Sequence, residues 1–472
     1  MHFNSLPFVV FFLVVYGLYL LLQKAPNGFR LQNLLLLAAS YFFYGFWDWR
    51  FCLLLGATTT TQFLLARQIS LTEEPRKRKV LLATAVTISL TVLGIFKYMG
   101  FFADSLSHLL NVFGMQASFT TLHLVLPVGM SFYTFKEISY VADIYRKKLE
   151  PAKSILDFGL YVSFFPQLVA GPIERAGEML PQIARPRKIT AEMVDAGSYL
   201  ILWGFFKKLV IADNLSVVAN TVFDNYHRYH GIDVIIGVVA YAGQIYCDFS
   251  GYTDVARGLA RLMGFELPLN FKLPYFAQSP SDFWTRWHVT LSGWLRDYLY
   301  IPLGGNRGAE WKIYRNLMIT MLLGGLWHGA AWNFVAWGGY HGLLLCVYRA
   351  WTKVYPPVAN PGRLRVALRM GLMFVLTLIG WVFFRAHSLN QIYTMLTSVG
   401  LSHSADTSTF LSKLFVLIGP LLLVQWFQAR SANLLIPLRM RIPSRIVWQA
   451  ALLVGLIMFG ARQSAEFIYF QF

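Results

Sequence analysis

Charged residues are scarce in this 472-residue chain, where they make up 14% of the sequence. A soluble globular domain has about 25% charged residues, whereas hydrophobic residues reach 56% here. No polar interval is long enough to form a soluble domain between the apolar stretches. These shortages exclude an ordinary water-soluble protein and indicate a polytopic membrane protein.

Cysteines and the common catalytic motifs are also few. Cys52, Cys247 and Cys346 lie far apart without a CxxC pair, which excludes a disulfide framework. The chain has no GxSxG, GxxxxGK[ST] or HExxH motif, so serine hydrolases, nucleotide-driven pumps and zincins lack their usual anchors. His227 and His230 form an HxxH without further ligands, whereas a zinc site needs three or four. We therefore predict no metal site.

Apolar windows recur along almost the whole chain, and several approach the ~20 residues that cross a bilayer as a helix. They include Leu6 to Leu22, Leu34 to Trp47, Cys52 to Ala66, Val80 to Phe96, Val234 to Ile245, Met370 to Phe384, Leu414 to Trp426 and Ile446 to Gly460. Hydropathy predicts an all-α protein with about eleven transmembrane helices. We expect a single membrane-embedded domain over residues 1–472.

The formal net charge of +18 concentrates in short loops between apolar stretches. These loops are Arg76 to Lys79, Arg146 to Lys148, Arg185 to Lys188 and Arg439 to Arg445. This distribution is a positive-inside signal, so we expect a membrane lipid environment and no nucleic acid partner. With three crossings before the first basic loop, the N-terminus is predicted outside. The first window has no basic region before it and no cleavage site before Lys24, which favours a retained helix.

The stretch from Phe265 to Asn316 is too polar and too rich in proline to form one plain spanning helix. Polar backbone at membrane depth is tolerated only where it is buried in protein or lines a water-filled cavity. We therefore predict short interfacial or re-entrant helices here, which meet an internal cavity or one membrane face.

A histidine within an apolar, glycine-rich stretch marks the first candidate site. In LLGGLWHGAAWN, Leu322 to Asn333, the side chain of His328 lies among small residues that allow close approach of a helix or a ligand. Ionisable groups inside membrane segments usually face the bundle interior and mark function. The alternative is a histidine that only hydrogen-bonds between helices.

A second histidine, His288, precedes Arg296 and Asp297 in FWTRWHVTLSGWLRDYLY, Phe283 to Tyr300. Two histidines that meet in a cleft suit acid and base catalysis near neutral pH.

Two further polar islands have structural alternatives. YCDFSGYTD, Tyr246 to Asp254, holds two aspartates six residues apart, or else is a turn that ends a helix at Ser250 and Gly251. Lys136 and Glu137 are interpreted as neighbouring charges that neutralise each other at the membrane interface rather than as catalytic groups.

Several long blocks resemble a known family, in the same order and over nearly the whole chain. They are NLLLLAASYFFYGFWDWRF at Asn33 to Phe51, LPVGMSFYTF at Leu126 to Phe135, FFPQLVAGPIER at Phe164 to Arg175, QIYCDFSGYTDVARGLA at Gln244 to Ala260, FWTRWHVTLSGWLRDYLYIPLGGNR at Phe283 to Arg307, LMITMLLGGLWHGAAWNFVAWGGYHG at Leu317 to Gly342 and FIYFQF at Phe467 to Phe472. The chain resembles the membrane-bound O-acyltransferases (MBOAT), and within them the bacterial branch typified by alginate O-acetylation.

The resemblance implies an acyltransferase in which His328 lies deep in a funnel through the membrane domain and His288 is the second functional position. The substrate tunnel is assigned to Asp248, Ser250, Trp287, Arg296, Asp297, Trp327 and Asn333. Lys136 and Cys247 depart from the residue types expected of the family along the tunnel.

The resemblance further implies O-acetylation of an extracytoplasmic polysaccharide, such as alginate or cellulose, at the bacterial inner membrane. Acetyl-CoA from the cytoplasm is the expected donor, no cofactor is bound permanently, and an extracytoplasmic protein is expected to receive the acetyl group. Two alternatives within the family are D-alanyl transfer and peptidoglycan acetylation. Outside it, a polysaccharide transporter would show inverted repeats, which we do not find, and a structural subunit would not need buried histidines.

Overall fold

The computed structural model describes residues 1–115, 125–358, 361–461 and 467–468, and every regular element within them is helical. This confirms the all-α class. The α-helices are α1 Leu6–Leu22, α2 Gly28–Gly45, α3 Trp49–Leu71, α4 Pro75–Leu93, α5 Met99–Val112, α6 Met130–Tyr145, α7 Ile155–Ser163, α8 Phe165–Leu168, α9 Ala176–Ile183, α10 Ala191–Phe205, α11 Asp213–Asp224, α12 Ile232–Leu262, α13 Pro280–Trp284, α14 Val289–Leu295, α15 Glu310–His328, α16 Trp332–Val354, α17 Arg363–Arg385, α18 Leu389–Thr397, α19 Thr407–Ser431 and α20 Ile442–Phe459. Three π-helical segments, Gly94–Tyr98, Phe206–Ala212 and Arg296–Tyr300, and two 3₁₀ turns, Pro274–Phe276 and Ile436–Arg439, complete the described elements.

Five of the described helical stretches are long and apolar enough to cross a membrane. They are Pro75–Val112, Ile232–Leu262, Arg363–Arg385, Thr407–Ser431 and Ile442–Phe459. The predicted first window coincides with the shorter apolar helix Leu6–Leu22. A multi-pass membrane protein is therefore confirmed, whereas the count of about eleven crossings stays a prediction.

Large apolar side chains on the outer helices are widely exposed. Val447 and Ile457 of α20 are 68% and 74% exposed, and Leu364 and Leu368 of α17 are 74% and 66% exposed. A water-soluble protein rarely exposes contiguous apolar surface of this kind. These faces are suited to contact lipid.

The chain divides into two compact units. The first contains Met1–Gly197 and Ala256–Pro268, and the second contains Ser198–Val255 and Leu269–Phe472. Both candidate histidines belong to the second unit. The expectation of one domain over residues 1–472 stays a prediction.

The polar island at Tyr246 to Asp254 does not end a helix. Helix α12 runs without interruption through Ser250 and Gly251, so the interpretation of this segment as a terminating turn was wrong. The glycine serves a close helix crossing, because a Cβ at Gly251 would lie 2.7 Å from the carbonyl oxygen of Gly204. Small residues at such a crossing let two backbones approach.

Lys136 and Glu137 are both buried in α6 and do not form the expected interfacial pair. The Lys136 ammonium donates to the carbonyl oxygens of Tyr161 and Val162. The Glu137 carboxylate instead accepts hydrogen bonds from the hydroxyls of two α3 threonines, at 3.2 and 3.1 Å. Adjacent helical residues point to different sides, so neighbours in the sequence need not pair with each other.

Candidate active site

His328 is the last residue of α15 and is 4% exposed. Its ring lies against Trp327, Trp337 and Phe384, with centroid distances of 5.1, 5.0 and 5.3 Å, each in an edge-to-face arrangement. Aromatic pairs prefer this geometry and bury a large apolar area. The imidazole is thereby fixed in an aromatic enclosure that excludes bulk water.

Glycines bring α16 close to α15 beside this histidine. A Cβ at Gly325 would lie 2.2 Å from the carbonyl oxygen of Phe334, and a Cβ at Gly338 would lie 2.3 Å from that of Met321. The Phe334 ring also occupies the space beside Gly329, where a Cβ would meet it at 2.2 Å. The small residues predicted to allow close approach therefore pack against a helix.

His288 immediately precedes α14 and has left-handed backbone angles, φ 41° and ψ 54°. A left-handed non-glycine residue costs about 1–3 kcal/mol and persists only where its surroundings hold it. Here the amide of Val289 donates to the carbonyl oxygen of Asn270 at 2.9 Å. The hydroxyl of Thr290 donates to the Asn270 side-chain oxygen at 2.6 Å. Asn270 thus holds both residues that follow the strained histidine.

The structure brings the two predicted histidines together. The ring centroids of His288 and His328 lie 6.4 Å apart, with Trp327 at 6.0 Å from the first ring and 5.1 Å from the second. His288 is fully buried, and Phe249 of α12 packs edge-on against it at 4.7 Å. At this separation, two imidazoles can contact one small acyl group from different directions.

Two other residues assigned to the tunnel support this enclosure. Trp287 is 1% exposed and packs on Trp381 of α17 at a centroid distance of 4.8 Å. The side-chain amide of Asn333 donates to the carbonyl oxygen of Phe384 at 3.3 Å, which ties the start of α16 to the end of α17. Asn333 therefore helps to place one wall of the His328 enclosure.

Ser250, also assigned to the tunnel, lies in a buried polar network of α12. The Lys207 ammonium donates to the Ser250 hydroxyl at 2.9 Å and forms an ion pair with Asp254 at 2.7 Å. The π-helical segment Phe206–Ala212 presents this lysine, and such segments are frequent at functional sites.

Asp248 takes part in a second buried ion pair, beside the first. Its carboxylate lies 2.7 Å from the Lys208 ammonium, which also lies 2.8 Å from Asp213. The other Asp248 oxygen accepts a hydrogen bond from the amide of Ile468 at 2.7 Å. The remaining residues of the closing motif, 469–472, lie outside the described residues. Contact of Asp248 with a substrate stays a prediction.

Arg296 and Asp297 were predicted as a second set of ionisable groups beside His288. They bind each other at 2.7 Å, with the Arg296 side chain 65% exposed. The predicted second set of ionisable groups is therefore a surface ion pair, and its contribution to a substrate tunnel stays a prediction.

The sequence interpretation missed a third buried histidine. His341 of α16 is 2% exposed, and its ring lies 4.8 Å from Trp337 and 5.2 Å from Trp284. Its position in an apolar stretch, WGGYHG, is the same signal that singled out His328. Trp337 contacts both His328 and His341, so the aromatic enclosure continues from one histidine to the other.

Comparisons with known proteins show which proteins this chain is similar to. The family model described as MBOAT, membrane-bound O-acyltransferase family, matches residues 152–388, which include His288, His328 and His341. The probable alginate O-acetylase of Pseudomonas aeruginosa is 43% identical over 398 residues, 84% of this chain and 74% of that protein. The peptidoglycan O-acetyltransferase of Helicobacter pylori is 35% identical over 87% of this chain and 83% of its own length. The teichoic acid D-alanyltransferase of Bacillus subtilis is 29% identical over 49% of this chain and 62% of its own length.

Proposed function

Because the chain belongs to the membrane-bound O-acyltransferase family and is an O-acyltransferase, we propose that it transfers acetyl groups from cytoplasmic acetyl-CoA for O-acetylation of an extracytoplasmic polysaccharide. The similarity to a probable alginate O-acetylase over 84% of the chain supports acetyl as the group and an alginate-type polymer as the acceptor. Family membership also sets aside the transporter and the structural subunit, which need no acyl chemistry.

The observation that carries the proposal is the buried pair of His288 and His328, with ring centroids 6.4 Å apart. A hydroxyl is a poor nucleophile at neutral pH, and a positioned imidazole that removes its proton accelerates attack about 10²- to 10⁴-fold. We assign this role to His328. A neutral imidazole is the form that accepts a proton, and the enclosure of tryptophan and phenylalanine holds this ring in place.

The reaction balances with these two residues. As the acceptor oxygen bonds to the thioester carbonyl carbon, His328 takes the hydroxyl proton and the carbonyl oxygen becomes an oxyanion. His288 donates a hydrogen bond to that oxyanion, a contribution worth about 10²- to 10³-fold where such donors have been removed. The carbon–sulfur bond then breaks, and the thiolate takes the proton from the His328 imidazolium. An O-acetyl ester and free coenzyme A result.

The active site is proposed to lie within the bacterial inner membrane. About eleven segments cross the bacterial inner membrane, with short re-entrant helices around a central funnel that leads to the histidines. Asp248, Ser250, Trp287, Trp327 and Asn333, together with Arg296 and Asp297, line the path of the acyl group. An extracytoplasmic protein receives the acetyl group and passes it to the polymer, while coenzyme A stays in the cytoplasm.

A second acceptor is supported by one comparison. The Helicobacter pylori peptidoglycan O-acetyltransferase aligns with 87% of this chain, so peptidoglycan is the alternative polymer. D-alanyl transfer has weaker support, since the teichoic acid D-alanyltransferase of Bacillus subtilis aligns with 49% of the chain.

The direct test is thiol release from acetyl-CoA by the purified protein in lipid nanodiscs. His328→Ala, His288→Ala and the control His403→Ala, an exposed histidine outside the site, are assayed in parallel, with alginate fragments, peptidoglycan fragments or the extracytoplasmic partner protein as acceptor. D-alanine delivered on a carrier protein replaces acetyl-CoA in a further reaction.

We expect release with acetyl-CoA, a loss of about 10²-fold or more in His328→Ala and wild-type rates in His403→Ala. Equal insertion and equal elution on size exclusion show that the variants fold. Full activity of His328→Ala would remove it as the base. Turnover only with the carrier-bound substrate would replace acetyl-CoA as the donor.

A further inference from the structure

A cleft of about 720 Å³ lies beside the active-site helices, between α16, α17 and the segment around α13. Its lining combines Arg286 and Arg369 with Trp351 and the aliphatic residues Leu344, Val347 and Leu372. The cleft opens sideways, because Val347, Trp351 and Leu372 are 56%, 59% and 63% exposed. In a protein that spans a membrane, such a cleft is accessible to lipid.

The start of α15, the end of α16 and the start of α17 form a strongly basic region at the polar end of the cleft. Glu310 at the start of α15 binds Lys353 near the end of α16 at 2.6 Å, and α17 begins nine residues after α16 ends. This end therefore gathers Lys312, Arg315, Arg349, Lys353, Arg363 and Arg365. The hydrogen bond from Lys353 lowers the pKa of Glu310, which remains ionised and offsets only one of these cations. The positive-inside rule predicts that this end faces the cytoplasm.

One part of the cleft is apolar and the other is polar and basic, which matches the acyl chains and the headgroup of a phospholipid. Leu376 and Arg369 of α17 also line it and are seven residues apart, or about 10 Å along the helix axis. The Tyr340 hydroxyl donates to the Leu376 carbonyl oxygen at 2.8 Å, which sets the antiparallel register of α16 and α17. Leu344 therefore lies in the apolar part of the cleft and Trp351 towards its basic end, where tryptophan prefers the interface.

The two arginines differ in their pairing. Arg286 forms an ion pair with Asp282 at 2.7 Å. Within the ranges that the structure describes, no carboxylate forms an ion pair with Arg369. An anion at this position would form an ion pair with Arg369. A soluble anion would use only the basic part of the cleft and would leave the apolar half exposed.

We propose that this cleft binds an anionic phospholipid of the cytoplasmic leaflet, with its phosphate at Arg369 and Arg286 and an acyl chain along Leu344, Val347 and Leu372. Basic pockets between membrane helices on the cytoplasmic side bind headgroups of this kind. The occupied cleft would join α16 to α17, the helices that carry Trp337 and Phe384 against His328.

The experiment measures lipid retention by native mass spectrometry of the full chain, purified in detergent and supplied with equal amounts of phosphatidylglycerol and phosphatidylcholine. The variants are Arg369→Gln, Arg369→Lys and the control Arg365→Gln. Arg365 lies one helical turn from Arg369, is exposed and does not line the cleft. Size exclusion and helix content by circular dichroism report whether each variant folds.

We expect wild-type protein and Arg365→Gln to retain phosphatidylglycerol over phosphatidylcholine. One basic residue near a membrane surface contributes about 1 kcal/mol, so Arg369→Gln should lower that preference about fivefold while Arg369→Lys keeps most of it. Glycerophosphoglycerol, the headgroup without chains, should fail to displace the lipid.

Equal retention of the two lipids by the wild type would overturn the proposal, as would an unchanged preference in folded Arg369→Gln. Displacement of phosphatidylglycerol by glycerophosphoglycerol or by coenzyme A at similar concentration would also overturn it, because the site would then recognise a soluble phosphate.

Discussion

The hydrogen bond between Thr290 and Asn270 should set the activity of His288 without any contact with the substrate. The Thr290 hydroxyl donates to the Asn270 side chain at 2.6 Å, and Asn270 is 1% exposed. Asn270→Ala and Thr290→Val each remove this bond. The backbone bond from Val289 to the Asn270 carbonyl oxygen does not depend on either side chain.

The free energy of the strain at His288 is similar to that of the hydrogen bond between Thr290 and Asn270, so loss of the bond is enough to displace His288. The left-handed conformation of His288 costs about 1–3 kcal/mol. A side-chain hydrogen bond contributes about 0.5–1.5 kcal/mol, and a buried partner left unsatisfied costs a further 1–3 kcal/mol. Without the hydrogen bond between Thr290 and Asn270, the strained conformation is less stabilised and His288 leaves its position near His328. Because 1.4 kcal/mol corresponds to about tenfold in rate, kcat should fall about tenfold in each variant.

The assay is initial-rate thiol release over a range of acetyl-CoA concentrations, with thermal unfolding measured on the same samples. We expect kcat to fall while KM changes little, and Thr290→Ser, which keeps the hydroxyl, to stay near the wild-type rate. Wild-type kcat in both Asn270→Ala and Thr290→Val would refute the reasoning. So would equal losses in Thr290→Ser and Thr290→Val, since these would indicate packing rather than the hydrogen bond.

Three other substitutions test the structure at separate places. Lys208→Met removes the ammonium from two buried carboxylates. It should lower the free energy of unfolding by about 3–5 kcal/mol, which a reduced Tm would report. An unchanged Tm would contradict the buried pairs. Gly338→Ala places a Cβ 2.3 Å from a backbone oxygen of α15 and should impair folding. Gly339→Ala should not impair folding, because the nearest atom to its Cβ belongs to a flexible side chain at 3.5 Å. Equal yields of folded protein would contradict the helix crossing. Arg296→Gln should change the free energy of unfolding by less than about 1 kcal/mol, because its ion pair is exposed. The same substitution should raise the KM for acetyl-CoA. An unchanged KM would contradict the assignment of Arg296 to the tunnel.

The two central histidines were predictable because each is an ionisable residue in an apolar, aromatic stretch. His328 and His288 are forty residues apart in the chain, and their centroid distance of 6.4 Å depends on α14 and α15 packing in the same unit. The helix at Leu6–Leu22 was predictable to the residue, since its apolar run ends in polar sequence on both sides.

Contacts distant in sequence could not be predicted. Asn270 gives no local signal that it holds His288, because its role lies in the hydrogen bonds that it accepts from Val289 and Thr290, about twenty residues later. Ser250 and Gly251 resemble a helix-ending pair, yet they continue α12 because another glycine-containing helix packs against them. Turn propensity was overridden here by tertiary packing.

Hydropathy does not distinguish a helix that is surrounded by protein from one that is surrounded by lipid. In Pro75–Val112, 17% of the most apolar window is buried, compared with 83% in Ile232–Leu262, and both stretches qualify as membrane spans by composition. The second stretch is α12, which contains Asp248, Ser250 and Asp254. These polar residues are tolerated because Lys207 and Lys208 compensate them inside the protein. Polar residues in an otherwise apolar helix therefore identify an inward-facing helix, and α12 places Phe249 directly against His288.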